Sequence, residues 1–229
     1  MQDSSAKTTK LDAENQLGTR AANMQKRRDQ ILFCAATIIV NEGVDALKLS
    51  RVADMASVTV PTIHNLYGKK QDILNRLTDQ VTQWMFEHIE VNANDRMLEG
   101  LEAGIERLVK RFSENELYFK AGYLVGERDG LFSRNGKPYL RASKTAIAKF
   151  TQLISNGDLR GDIKPLCMAK FVNDSFRVLR SDWIKGHLSI EQFRYQFLWS
   201  VYVSLLADAT APFREKLLQR LDVLEANAP

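Results

Sequence analysis

The stretch LSRVADMASVTVPTIHNLYGKK, residues 49–70, decides the fold. Leu49, Val52, Ala53 and Ala56 recur at three and four residues, which predicts a short helix beginning near Ser50, whose side chain can cap it. Ser57, Val58 and Thr59 form a three-residue turn. A second short helix then takes Thr59 as its cap and Pro61 in its first turn, where a missing N–H costs little. Gly68 ends it. Ile63 and Tyr67, four apart, point to one side, which leaves Val60, Pro61, Thr62, His64, Asn65 and Lys69 on or near the other. From Val58 to Lys70 there is no acidic residue.

Upstream, Ile31, Leu32, Ala35, Ile38 and Ile39 predict an amphipathic helix from Lys26 that Gly43 stops. Residues 1–22 lack apolar periodicity and read as a disordered basic tail carrying Lys7, Lys10 and Arg20. Downstream, Lys69 and Lys70 open a fourth helix expected to run to about Val91. The remainder reads as helices separated by short breaks. They lie at about 95–113, 116–126, 138–155 and 165–185, followed by one that Ser189 and Gln192 start as a capping box and a last one after Pro212. GERDGLFSRNGK, residues 126–137, reads as a polar loop. No alternating strand pattern occurs, so the expected fold class is all-α. It comprises a three-helix domain at 23–75 and a larger helical domain at 76–229.

Composition narrows the function. The chain has 229 residues, 45% of them hydrophobic, with only 12 Gly and 5 Pro, which suits long regular elements. No eighteen-residue apolar run occurs and the N-terminus is polar, so the expected location is the cytoplasm. Cys34 and Cys167 have no CxxC partner and read as reduced; neither a metal nor a cofactor is expected. His64, His88 and His187 are far apart, and no HExxH, GxGxxG or GxxxxGK[ST] pattern is present, so an enzyme is not expected. Residues 1–70 hold 10 Lys and Arg against 7 Asp and Glu, leaving 22 against 21 of the 32 and 28 for the rest. The excess lies in the first third, where a polyanion partner is expected.

Two short helices joined by a tight turn and braced by a preceding helix make a helix-turn-helix. A helix fits the major groove of DNA, and short polar groups near its start can reach base edges. Thr62, His64 and Asn65 are such groups, Val60 and Pro61 can meet a thymine methyl, and Lys69 and Lys70 suit phosphate oxygens. Residues 26–75 resemble the DNA-binding domain of the TetR family of bacterial transcription repressors. The resemblance rests on Ile31, Leu32 and Ala35, the pair Ile38 and Ile39, Gly43, Ala53, and the run TIHNLYGKK, residues 62–70. It implies that Lys48, Ser50, Thr59, Val60, Pro61, Thr62, His64, Asn65, Tyr67 and Lys70 face DNA. Ser57 stands where the family usually has Gly, and His64 where it usually has an aromatic.

The resemblance further implies a homodimer on a palindromic operator and a second domain that binds a small effector. Trp84, Met85, His88 and Phe112, with Tyr123, Tyr139, Phe176 and Arg177, are the candidates for lining its pocket, which favours a hydrophobic or aromatic effector. Ordinary core packing accounts for each of them singly. The helix containing FRYQFLWSVYVSLL, residues 193–206, is apolar nearly all round. Its stripe Phe193, Phe197, Val201 and Ser204, with Ser200, is expected to pair with Phe171, Asp174, Ser175, Val178 and Trp183 across a two-fold axis.

Overall fold

The structure, a computed structural model, describes the backbone of residues 3–88 and 97–229 and the side chains of residues 20–83 and 98–229. It has α1 (Asp3–Glu42), α2 (Leu49–Ala56), α3 (Val60–Leu66), α4 (Lys70–His88), α5 (Met97–Glu114), α6 (Glu116–Arg128), α7 (Lys137–Ser155), α8 (Pro165–Ile184), α9 (Ile190–Leu206) and α10 (Ala211–Ala226). A single 3-10 turn, Val44–Ala46, joins α1 to α2. The fold is all-α, and the chain divides into two compact units, Met1–Leu77 and Thr78–Pro229.

In the first unit the apolar spacing acts as expected. Ile31, Ala35, Ile38 and Ile39 of α1, Val52 and Ala53 of α2, Ile63 of α3 and Ile73, Leu74 and Leu77 of α4 are all buried, and α2 packs on both α1 and α3. Each large aliphatic side chain so buried contributes about 1.5–3 kcal/mol relative to exposure. Two expectations change. Helix α1 begins at Asp3, where the sequence suggests a disordered tail over residues 1–22. The segment has no Pro, and extending an existing helix adds a hydrogen bond for each residue fixed, so the nucleation penalty is not incurred again. Ser50 does not cap α2: Lys48 holds the cap position without a side-chain bond, and Ser50 is an exposed residue of the first turn.

The second unit stacks α8 between α7 and α9, with α5 and α10 also against α9. Leu98, Ile105, Phe150, Leu153, Leu198, Tyr202, Phe213 and Leu217 form one core cluster, while a second is predominantly aromatic. The α7–α8 turn is tied to the α9–α10 turn by Asp208, which is 0% exposed and accepts from the N–H groups of Gly161 (2.9 Å) and Asp162 (3.1 Å). Arg160 adds bonds to the carbonyls of Ala207 and Ala209. The loop expected to be polar contains a buried residue, Phe132, whose ring packs against Tyr123 at 4.7 Å between centroids. Two adjacent apolar residues, Leu131 and Phe132, among ten polar or small neighbours carry no periodicity, so pattern reading passes over them.

Candidate nucleic-acid interface

Helix α3 is built by its two ends. Thr59 has extended backbone, and its Oγ1 accepts from the Thr62 N–H at 3.3 Å, which satisfies a donor that the helix leaves open. Pro61 sits in the first turn. Gly68 ends the segment with φ 94, a left-handed conformation, and a Cβ there would lie 2.5 Å from Asp72 Oδ2. That carboxylate accepts from the Lys69 N–H at 2.6 Å and so caps the start of α4. The acid three residues after Lys69 is the readable signal for this cap, half of a capping box.

The preceding turn closes through paired bonds from Ser57 N–H to the Asp54 carbonyl (3.3 Å) and from Val58 N–H to the Ala53 carbonyl (3.0 Å). This is the Schellman arrangement, with Ser57 in the left-handed region at φ 53, ψ 45. Serine there bears a Cβ conflict that glycine lacks.

Ile63 is fully buried and anchors α3. Tyr67 is half-buried and its hydroxyl donates to the Arg28 carbonyl at 3.0 Å, which fastens the end of α3 to α1. The resemblance counts Tyr67 among the groups facing DNA; its hydroxyl proton is engaged within the domain. Arg51 is fixed by two bonds to Glu42 (2.6 and 2.7 Å), a link between α2 and the end of α1 that sequence reading missed. Lys48, Ser50, Thr59, Pro61, His64, Asn65 and Lys69 are exposed; Val60, Thr62 and Lys70 are half-buried. The Thr62 hydroxyl lies 2.9 Å from that of Thr59, so the pair shares one bond and retains one further proton to donate. The outer face of α3 therefore presents an amide, an imidazole and a hydroxyl pair, with lysines at its borders.

The candidates in the second unit are distributed differently. Trp84, Met85 and His88 have side chains outside the described residues. Phe112 and Tyr123 are fully buried in the aromatic core: Phe112 stacks on Trp183 (4.8 Å, 5°) and meets Tyr123 edge-on (5.9 Å). Burial pushes the Tyr123 phenol up to about 12. Phe176 packs against Phe193 and Phe197. Tyr139 donates to Asp174 at 3.3 Å, Arg134 holds the same carboxylate with two bonds, and Arg177 Nε lies 3.9 Å from it.

Of the expected dimer residues, Trp183, Phe193, Val201 and Ser204 are buried within the chain and present nothing to a partner, and Phe197 is packed against the core. Phe171 (53% exposed) and Val178 (56%) of α8 are on the surface. Together with Asp174, Ser175, Ser200, Tyr195 and Trp199 they line an apolar groove between α8 and α9. The face of α9 that is open to a partner is thus two residues out of register with the stripe read from sequence. A helix apolar nearly all round gives no periodic signal to choose between faces.

No family model matches the chain, and none of the curated proteins does. Solved structures match it over most of its length. A γ-butyrolactone receptor, described as ArpA-like, superposes with a TM-score of 0.69 at 13% identity, over 90% of this chain and 100% of that one. A TetR-family transcriptional regulator from Marinobacter aquaeolei VT8 gives 0.66 at 14% identity, over 88% and 98%. The SmeT–triclosan complex gives 0.60 at 15% identity, over 82% and 94%. With its helix-turn-helix unit and larger helical unit, the chain has the fold of the TetR-family transcription regulators.

Proposed function

We propose that the chain is a TetR-family transcription regulator: a homodimer that binds a palindromic operator as a repressor and releases it when a small effector occupies the second unit. The observation that carries this reading is the outer face of α3. There exposed His64 and Asn65 stand beside the Thr59–Thr62 hydroxyl pair on a helix held from behind by Ile63 and Tyr67. Short polar groups on a braced helix are what base reading in the major groove requires. Lys48, Lys69 and Lys70 supply charge for the flanking phosphates, and Ser50, Val60 and Pro61 complete the contact surface. The α8–α9 groove supports self-association, since a C2 partner would cover Phe171, Val178 and Trp199 with the same residues of its own. Such a protein works where the DNA is, in the cytoplasm, and performs no catalysis.

Binding of the purified protein to duplexes from its own upstream region tests the reading. Specific binding is expected to fall with salt as for about six to ten phosphate contacts. A protein that retains no preference for any such duplex over random sequence at low salt contradicts it.

A further inference from the structure

Helix α8 carries two arginines one turn apart, Arg177 and Arg180, whose Nε atoms are buried and hydrogen-bond to none of the described residues. Arg180 is only 3% exposed. Its Nη2 donates to Glu127 at 2.9 Å, and its guanidinium lies 4.6 Å from the Tyr123 ring centroid and 5.1 Å from that of Phe132. The aromatic faces stabilise the charge but accept nothing from Nε in the plane of the group. A buried donor left open is costly, more so when it is charged, so its presence calls for an explanation.

For Arg177 the explanation is a cavity of about 500 Å³ that it lines; Arg180 does not line it but stands behind its wall. The cavity walls include Glu127 and Phe132, two of the groups that hold Arg180, and also Arg177, Ser133, Ser181 and Lys185. The volume falls in the range of small-molecule sites. Two carboxylates reach these walls, each with a basic neighbour: Glu127 on Arg180, and Asp182 beside His187 at 3.7 Å. Arg177 and Lys185 on the lining face Glu127 and Asp182; with Glu127 held by Arg180 behind the wall and Asp174, beside Arg177, held by Arg134, the charges of Arg177 and Lys185 are left against Asp182 alone.

We infer that this cavity binds a small ligand with an apolar body and a single carboxylate. Arg177 and Lys185 receive the carboxylate, Arg180 supports it from behind the wall, and Phe132 takes the apolar body. Planar guanidinium donors suit a carboxylate geometrically, and such charge-assisted bonds are about twice as strong as neutral ones. The site takes in Arg177 from the candidates read in the sequence, and its Phe132 wall backs onto Tyr123 of the aromatic cluster.

The inference also gives the effector of the regulator proposed above a route to the dimer, and only this regulatory meaning rests on that proposal. Val178 lines both the cavity and the α8–α9 groove, and Arg177 lies 3.9 Å from Asp174 of the groove. A carboxylate that draws Arg177 into the cavity removes a positive charge from beside Asp174, and so alters the surface offered to a second copy.

Calorimetric titration of the full chain, without DNA, with naphthylacetate and its neutral analogue naphthylacetamide tests the site. Saturable binding of one naphthylacetate per chain is expected, at least about tenfold tighter than the amide. Arg180→Lys and the half-exposed Arg177→Gln should each weaken the acid about tenfold and leave the amide unchanged. Arg177→Gln serves alone if the buried variant does not fold. Equal affinity for acid and amide, acid binding unaffected by Arg177→Gln, or no saturable binding overturns the inference. Because DNA is absent, these outcomes stand apart from whether the chain reads an operator.

Discussion

Ser57 shows how one residue records a conflict between local geometry and side-chain chemistry. It occupies the left-handed position of a Schellman turn, at φ 53, where an L side chain costs about 1–2 kcal/mol. Ser57→Gly removes that cost but adds chain entropy to the unfolded state, so a net gain of up to about 1 kcal/mol is expected in thermal unfolding. Ser57→Val should lose at least about 1 kcal/mol, because β-branched side chains tolerate the region least. Equal stability of the two variants would contradict the strained turn. On the reading face, Asn65 is exposed, so Asn65→Ala should leave the fold intact while reducing discrimination among duplexes by about 1–3 kcal/mol. Lys70→Ala should instead weaken all duplexes alike, which competition between specific and random DNA distinguishes.

At the scale of elements, α3 depends on its cap and its single fully buried anchor. Thr59→Ala removes the acceptor for the Thr62 N–H and is expected to destabilise the domain by about 1 kcal/mol in denaturant unfolding. The α6–α7 loop depends on Phe132, and Gly126 makes room for it: a Cβ on Gly126 would lie 2.3 Å from the Phe132 ring. Gly126→Ala should therefore cost about 1–3 kcal/mol, although alanine is the better helix former. If Gly126→Ala proves stabilising in the same measurement, the loop is not anchored as described. The helix-turn-helix was readable because each of its apolar positions follows a helical spacing and its caps are chemically marked by Thr59, Pro61 and Gly68. The Tyr67–Arg28 and Arg51–Glu42 bonds were not readable, since both join residues whose approach depends on how α1 turns back on its neighbours.

For the molecule as a whole, the second unit shows where sequence reading runs out. Its helices were legible from their breaks, but α9 is apolar on nearly every face. The assignment of Phe193, Val201 and Ser204 to a partner was therefore decided against by packing, which puts Trp199 outward and those residues in the core. The resemblance names Phe112 and Tyr123 for a pocket; in the fold both are fully buried, Phe112 stacked on Trp183 and Tyr123 packed against Phe132. The outward groove predicts that Phe171→Glu, at a residue already 53% exposed, leaves the chain folded but shifts it toward monomer in sedimentation velocity. An unchanged oligomeric state would place the interface elsewhere. The function proposed for the molecule depends on DNA reading by the face of α3. It is tested most directly by fluorescence anisotropy of the purified chain with labelled duplexes from its upstream region, titrated against random duplex at several salt concentrations. A preferred duplex, a steep loss of affinity with salt, and loss of the preference in Asn65→Ala are expected. Salt-independent binding, or a preference that Asn65→Ala leaves intact, would contradict DNA reading by α3.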